Sequence, residues 1–305
     1  PGFKLAARAA DIYEQKPTVE GLILQKHGVM TFGSTARQSY ERMIEMATLA
    51  EERLKRNRKS VFVAAQIPRP VAALADVAPI LRGAASIKDE RTEGAWRRPI
   101  LAFRSSPAIV NFVNGSELAR YSQAGVVTPD HTIRTKNWPL LLPAPDAGRP
   151  AAFKRAAQQA VAAFVESYKS YFARNNARVG GGRTMLDPLP RVALVPGLGL
   201  FGLGGNRNDA RIAADIAESA IATITDAEAI GRFTPISEAD MFDMEYWPLE
   251  QAKLGRSADQ PLTGQIAVIT GAAGAIGFAT AKAFMQAGAA VALLGVIAVA
   301  LVLAV

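Results

Sequence analysis

The sequence predicts an α/β protein. Three stretches carry that expectation: residues 21–58, 192–224 and 265–294 each join an apolar run of strand length to a glycine turn and a helix-periodic segment. Of the 305 residues, 50% are hydrophobic and 20% charged, so a buried core is expected and wholesale disorder is not. The length leaves room for roughly two domains at about 150 residues each.

Along the chain, Gly21 to Gln25 reads as a short buried strand, Lys26-His27-Gly28 as a turn, and Val29 to Phe32 as a second strand ended by Gly33. Ser34 is placed to cap a helix reaching about Arg58. Its Tyr40, Ile44, Ala47, Ala50 and Leu54 recur every three or four positions and predict one buried stripe. Residues 60–99 show no such period; Pro68, Pro70 and Pro79 punctuate them, and Lys88 to Arg98 reads as a charged loop. Ile100 to Phe103 fits a buried strand, and Ser106-Pro107 opens a short helix towards Gly115. Residues 137–150 are proline-rich and read as a connector. A long helix follows from about Ala151 to Ala173, with Phe153, Ala157, Ala160, Phe164, Tyr168 and Tyr171 on one face, before the flexible turn Gly180-Gly181-Gly182.

The next passage rhymes with the first. Val192 to Val195 is a strand, Pro196 to Gly199 a glycine turn, and Leu200 to Leu203 a second strand. Asn208 or Asp209 is placed to cap a helix whose Ile212, Ile216, Ala220 and Ile224 form a stripe. Matching Ala36-Arg37 to Ala210-Arg211 makes a candidate internal repeat, at the expense of an insertion of about three residues.

The most specific pattern comes last. Gln265 to Thr270 is a strand-length apolar run that feeds Gly271-Ala-Ala-Gly274-Ala-Ile276-Gly277, then a helix from Phe278 to Gln286 and a second apolar run from Ala289 to Leu294. Strand, glycine turn, helix and strand make the first βαβ unit of a Rossmann fold. Gly271 permits the tight turn, Gly274 lets backbone approach a pyrophosphate, and Gly277 lets the helix pack closely on the sheet. Exposed N–H groups around Ile276 then face the phosphates. This stretch closely resembles the short-chain dehydrogenase/reductase family, with its middle glycine at 274 as in several branches. The resemblance implies NAD or NADP as cofactor, bound by Gly271, Gly274, Ile276 and Gly277. Two departures follow: Gly295 stands where the family has an acidic residue for the ribose, and no Tyr-x-x-x-Lys catalytic pair follows the turn.

Charge and composition exclude several classes. The net charge is +8, and its densest run, Arg53, Lys55, Arg56, Arg58 and Lys59, falls at a predicted helix end, where cations complement the dipole. No aromatic residue interleaves it, so no nucleic-acid partner is expected. The absence of cysteine excludes disulfides and thiolate metal sites and suits a reducing, cytoplasmic setting. The first thirty residues read as no secretory leader, and Pro1 in place of Met fits a clipped start. Ala287 to Val305 is free of charge and falls in the window of about 17–25 residues that a membrane helix needs. Its rival reading, a frameshifted or truncated end, is the one expected, because the stretch begins inside the βαβ unit.

The chain has two histidines, His27 and His131. His27 is open to two readings, an imidazole ordered by its turn and a metal ligand pointing into a cleft. The stretch Glu20 to Gly33, with Ala36-Arg37 and Tyr40-Glu-Arg-Met-Ile-Glu45, resembles the late part of the class II aldolase/adducin-head family. In that family the histidine of this HG turn is the last zinc ligand, which implies His27 as a metal ligand here. The family's glycine and serine phosphate loops, acidic catalytic residue and HxH pair are absent. Thr128 to His131 with Ile133 to Lys136 is a polar cluster able to grip an anion, or a loop entering a strand; the second is expected.

The order of motifs resembles bifunctional class II aldolase/short-chain dehydrogenase fusions of the rhamnulose-1-phosphate aldolase type, with 100–136 and 190–254, including Asp243 to Leu254, similar to their middle. The resemblance implies three parts: 1–60, the end of a three-layer α/β/α aldolase/adducin-head domain; 61–254, an aldolase-associated middle, itself a candidate degenerate repeat; and 261–305, an incomplete Rossmann start. It implies zinc-dependent retro-aldol cleavage of a ketose 1-phosphate and NAD(P)-linked oxidoreduction of the aldehyde. The expected partners are a sugar phosphate, a hydroxyaldehyde and further copies of the chain, with no membrane. The alternative is a catalytically inactive adducin-head-like binding module.

Overall fold

The structure, a computed structural model, describes residues 3–56, 62–88, 96–128, 131–254 and 260–295. The first unit is α1 (Phe3–Gln15), the hairpin β1 (Gly21–Leu24) and β2 (Gly28–Thr31), and α2 (Ala36–Lys55). Thr35, and not Ser34, caps α2, its hydroxyl accepting from the Gln38 N–H. The expected buried strand and stripe are corrected. Ile23 is 82% exposed and Tyr40 66% exposed, and no residue of α2 is buried. The hairpin rests on a different helix face, that of Ser39, Arg42 and Met46. Ser39 Oγ donates to the Thr31 carbonyl at 2.9 Å, and Arg42 reaches the Phe32 carbonyl at 2.7 Å. Helix α1 adds one further contact, Tyr13 meeting the Phe32 ring edge-on at 5.1 Å, and among the described residues the two-stranded sheet gains no third strand to cover Ile23.

Beyond it come α3 (Leu74–Ala84), the two-residue strands β3 (Ile87–Lys88) and β4 (Trp96–Arg97), β5 (Ile100–Arg104), α4 (Pro107–Val113), α5 (Leu118–Ser122) and α6 (Thr132–Thr135). Helix α3 lies in the proline-punctuated stretch with Pro79 inside it, and burial of Val77 and Leu81 holds it. The expected charged loop is flanked by the β3–β4 ladder, and its 89–95 segment lies outside the described residues. Next are β6 (Leu140–Leu141), α7 (Pro150–Arg178), β7 (Val192–Val195), β8 (Gly199–Gly204), α8 (Arg207–Ile230), α9 (Glu238–Glu245) and α10 (Pro248–Ala252). The supposed connector thus supplies a strand, and the long helix runs on to Arg178.

Strand order is β5-β8-β7-β6, antiparallel except for the parallel β6–β7 pair. Alternation along β7 and β8 splits the core. Ala193, Val195, Phe201 and Leu203 face α3 and α7, meeting Leu81, Phe153, Ala157 and Phe164. Val192, Leu194 and Leu200 face α4 and α8, meeting Ile109, Phe112, Ala214 and Ile221. The result is a three-layer α/β/α sandwich. Within α7 the buried stripe includes Val161 in place of Ala160. Within α8 it is rotated to Ala210, Ala213, Ala214, Ala217, Ile221 and Ile224, and the cap is Asn206, not Asn208 or Asp209.

The two hairpin–helix units correspond without the expected insertion. Residue n of the first falls on n + 171 of the second: Gly21 on Val192, Gly28 on Gly199, cap Thr35 on cap Asn206. The left-handed turn residues Lys26 (φ 61°) and Gly197 (φ 84°) coincide as well. So do the helix positions against the strands, with Ser39, Arg42 and Met46 falling on Ala210, Ala213 and Ala217.

The last unit is β9 (Ile266–Thr270), α11 (Ala275–Gln286) and β10 (Ala290–Leu294), with β9 and β10 parallel. Val268 is 63% exposed. Among the described residues no helix is long and apolar enough to cross a membrane; residues 296–305, on which the membrane and damaged-end readings fall, lie outside them.

A Cβ at Gly202 would strike the Ala210 carbonyl and lie 2.6 Å from the Ala214 nitrogen. Gly202→Ala should therefore cost about 1–3 kcal/mol through forced separation of α8 from β8, read as a lowered urea midpoint. An unchanged midpoint would show that the sheet yields freely there.

Candidate functional site

His27 sits at the tip of the first hairpin. Its N–H donates to the Leu24 carbonyl at 2.9 Å, closing the turn, and its side chain is exposed. Lys26 Nζ ties the same tip to the Pro235 carbonyl at 2.7 Å. The corresponding residue of the second unit is Leu198, which packs against the core. His131 stands at the start of α6. Among the described residues no group of three or more His, Cys, Asp or Glu side chains is placed to hold a metal ion. A zinc site needs about three protein ligands, so the described residues do not make one by themselves.

Gly271, Gly274, Ile276 and Gly277 come together on the turn between β9 and α11. Gly271 has φ 65°, and a Cβ on Gly277 would strike the Gly271 carbonyl and lie 2.8 Å from Ala272 Cα. Only glycine lets the helix start this close to the strand end. Gly274 is the N-cap, and α11 begins at Ala275, three residues before the expected Phe278. No side chain caps it, and Ile276 is 85% exposed. The N–H groups of this first turn are therefore open to an anion. Gly295 borders the turn, since a Cβ there would lie 3.6 Å from Ala273 Cβ. It offers no carboxylate.

Sequence reasoning missed a third group. Glu245 in α9 is 0% exposed, accepting from Tyr168 Oη at 2.7 Å and Tyr171 Oη at 3.0 Å. Lys136 closes α6 with its ammonium 3.8 Å from Glu245 Oε1 and 3.9 Å over the Tyr168 ring. Burial pushes the Lys136 ammonium down to about 8, the Glu245 charge opposing it, and burial raises the Glu245 carboxyl. The expected loop is a helical turn ending in this pair. The signal lay in Lys136 and in Asp243 to Tyr246, which no local pattern connects.

Residues 1–54 match the Class II Aldolase and Adducin N-terminal domain, and residues 72–254 match Aldolase class II, second domain. The chain belongs to the class II aldolase family. This family member is 30% identical over 297 residues to the uncharacterized oxidoreductase YuxG of Bacillus subtilis (strain 168). The alignment covers 94% of the chain and 42% of YuxG, so the chain spans less than half of that relative. No solved structure matches it.

The buried pair of this class II aldolase family member carries a pH signature. The unfolded chain keeps a proton on Lys136 up to about 10.5, whereas the folded chain gives it up from about 8. Between those values the unfolded state binds more protons, so stability contributed through Lys136 rises with pH. Lys136→Met should remove that rise, measured as the wild-type-minus-variant difference in urea stability across the window. A difference that stays flat would contradict the depressed ammonium.

Proposed function

We propose that this class II aldolase family chain is the junction of a bifunctional protein, of the rhamnulose-1-phosphate aldolase type, that cleaves a ketose 1-phosphate and passes the aldehyde to a short-chain-dehydrogenase-type unit. The observation that carries the reading is the uncapped, glycine-lined start of α11 between two parallel strands, in one chain with two class II aldolase matches. The oxidoreductase name of the longer relative supports it. Backbone N–H groups at Ala275, Ile276 and Gly277 would hold the pyrophosphate of NAD or NADP, with Gly271 and Gly274 keeping side chains out of the way. When bound, the nicotinamide supplies hydride chemistry. Gly295 leaves the choice between NAD and NADP without a carboxylate to decide it. His27 would contribute one imidazole to zinc, and the remaining ligands would have to come from outside the described residues. Sugar phosphate as substrate, a homo-oligomeric assembly and a cytoplasmic setting belong to the same reading.

A second reading, a non-catalytic adducin-head-like binding module, is favoured by the exposed His27, which among the described residues joins no metal-binding group. Metal analysis of the purified chain tests the part given to His27: stoichiometric zinc that is lost in His27→Ala supports the enzyme, and stoichiometric zinc that His27→Ala leaves in place removes His27 from the metal site.

The dinucleotide part has its own test. The 305-residue chain should bind NADH or NADPH by calorimetry yet turn neither over, because no Tyr-x-x-x-Lys pair follows the turn. Gly277→Val should weaken binding by about tenfold or more, equivalent to about 1.4 kcal/mol, without changing the urea midpoint of the α/β/α sandwich. Binding of neither nucleotide would sink the assignment, and NADH turnover would sink the no-turnover expectation.

A further inference from the structure

A cleft of about 320 Å³ opens where β4, α6, the start of α8 and the Thr263-Gly264 turn meet. Its size falls at the lower end of small-molecule sites, roughly 300–1,000 Å³. Among the described residues its charged lining is lopsided: Arg97, Arg98, Arg134, Lys136 and Arg191 against Asp187 and Asp209. Asp187 is taken by Arg191 at 2.8 Å, and Arg134 donates to the Lys253 carbonyl at 2.8 Å, which fixes its guanidinium at the cleft. Leu186, Leu189 and Leu203 give it an apolar side.

Lys136 is the unusual member. It is 5% exposed yet lines the cleft, and its backbone takes φ 65°, ψ 177°. That region is essentially reserved for glycine and strains a residue that carries a Cβ. Such strain persists where the surroundings dictate it and clusters at ligand sites. The groups facing its ammonium are Glu245 from α9, Tyr168 from α7, and Asp187 and Arg191 ahead of β7.

We propose that this cleft binds a small organic phosphate, with Lys136 as its buried cation and Arg98 and Arg134 among the other cations of its wall. Arg134, held by the Lys253 carbonyl, and the further cations of the wall suit a dianion, and the leucines suit a short carbon skeleton. The site uses neither His27 nor the 271–277 turn, so it stands or falls apart from the zinc and dinucleotide assignments.

Pyridoxal 5′-phosphate is the probe, because it carries an aldehyde and a phosphate on one small frame. The neutral Lys136 amine adds to the aldehyde carbon, the carbinolamine loses water to give an imine, and borohydride delivers hydride to fix a secondary amine. Peptide mapping of the full chain should find Lys136 modified ahead of exposed lysines such as Lys154 and Lys169. Inorganic phosphate and glycerol 3-phosphate should protect it, NAD should not, and the rate should climb with pH through about 8. Arg98→Gln with Arg134→Gln keeps the amine and should slow labelling about tenfold, the loss expected for charged hydrogen bonds, with an unchanged urea midpoint showing that the fold is intact. Lys136 left unlabelled overturns the proposal. So does labelling without protection by phosphate, or labelling equally fast with pyridoxal lacking the phosphate. NADH binding measured on the same variants separates this outcome from failure of the dinucleotide reading.

Discussion

The approach of α8 to β8 is the constraint on which the central layers depend. Helix and strand are so close that Gly202 and Gly204 have no room for a Cβ, and the helix answers with Ala210, Ala213, Ala214 and Ala217. Small residues on both sides bring backbone against backbone, which fixes the helix across one face of the sheet. The opposite face is then free for larger side chains. Phe201 and Leu203 point that way and meet the Phe153 and Phe164 side of α7. Asn114 adds a stay at the other end of the hairpin, its Oδ1 accepting from the Gly197 N–H at 2.7 Å.

The first unit follows the same backbone plan with different chemistry. Thr31 replaces Gly202 and Ser39 replaces Ala210, and the pair exchange hydrogen bonds, the Thr31 hydroxyl reaching the Ser39 carbonyl at 2.8 Å. Among the described residues β1 and β2 pair only with each other, whereas β7 and β8 are flanked by β6 and β5. That difference decides the fate of the two turns. Leu198 is drawn into packing, while His27, at the same place in the plan, stays at the surface and available for chemistry.

What could be read from the sequence was local. The two hairpins, the Ser106 cap, the long helix and the 271–277 turn are each written in contiguous residues whose turn chemistry or period is explicit. Burial was read wrongly in the first unit because periodicity reports an apolar face, not whether anything covers it. The shift from Asn208 to Asn206 has a similar cause, since several cap-competent residues lie together and only the strand register selects one. Helix α3 lies in the proline-punctuated stretch with Pro79 inside it, and the burial of Val77 and Leu81 that holds it is long-range. The Lys136–Glu245 contact joins residues more than a hundred positions apart and leaves no local trace.

That pair is hard to explain as a stabilising device. Desolvating two ions is expensive, and replacing such a pair by apolar side chains is often neutral or favourable. Here the ammonium stands 3.8 Å from the carboxylate, beyond hydrogen-bond reach, while Tyr168 and Tyr171 donate to the Glu245 oxygens. Lys136 adds a strained backbone to the same place. A fold selected for stability alone would shed each of these features. Their coincidence at the wall of a cationic cleft gives them a common purpose: Glu245 and its tyrosines keep a buried amine in position, and the cleft presents that amine to whatever anion enters.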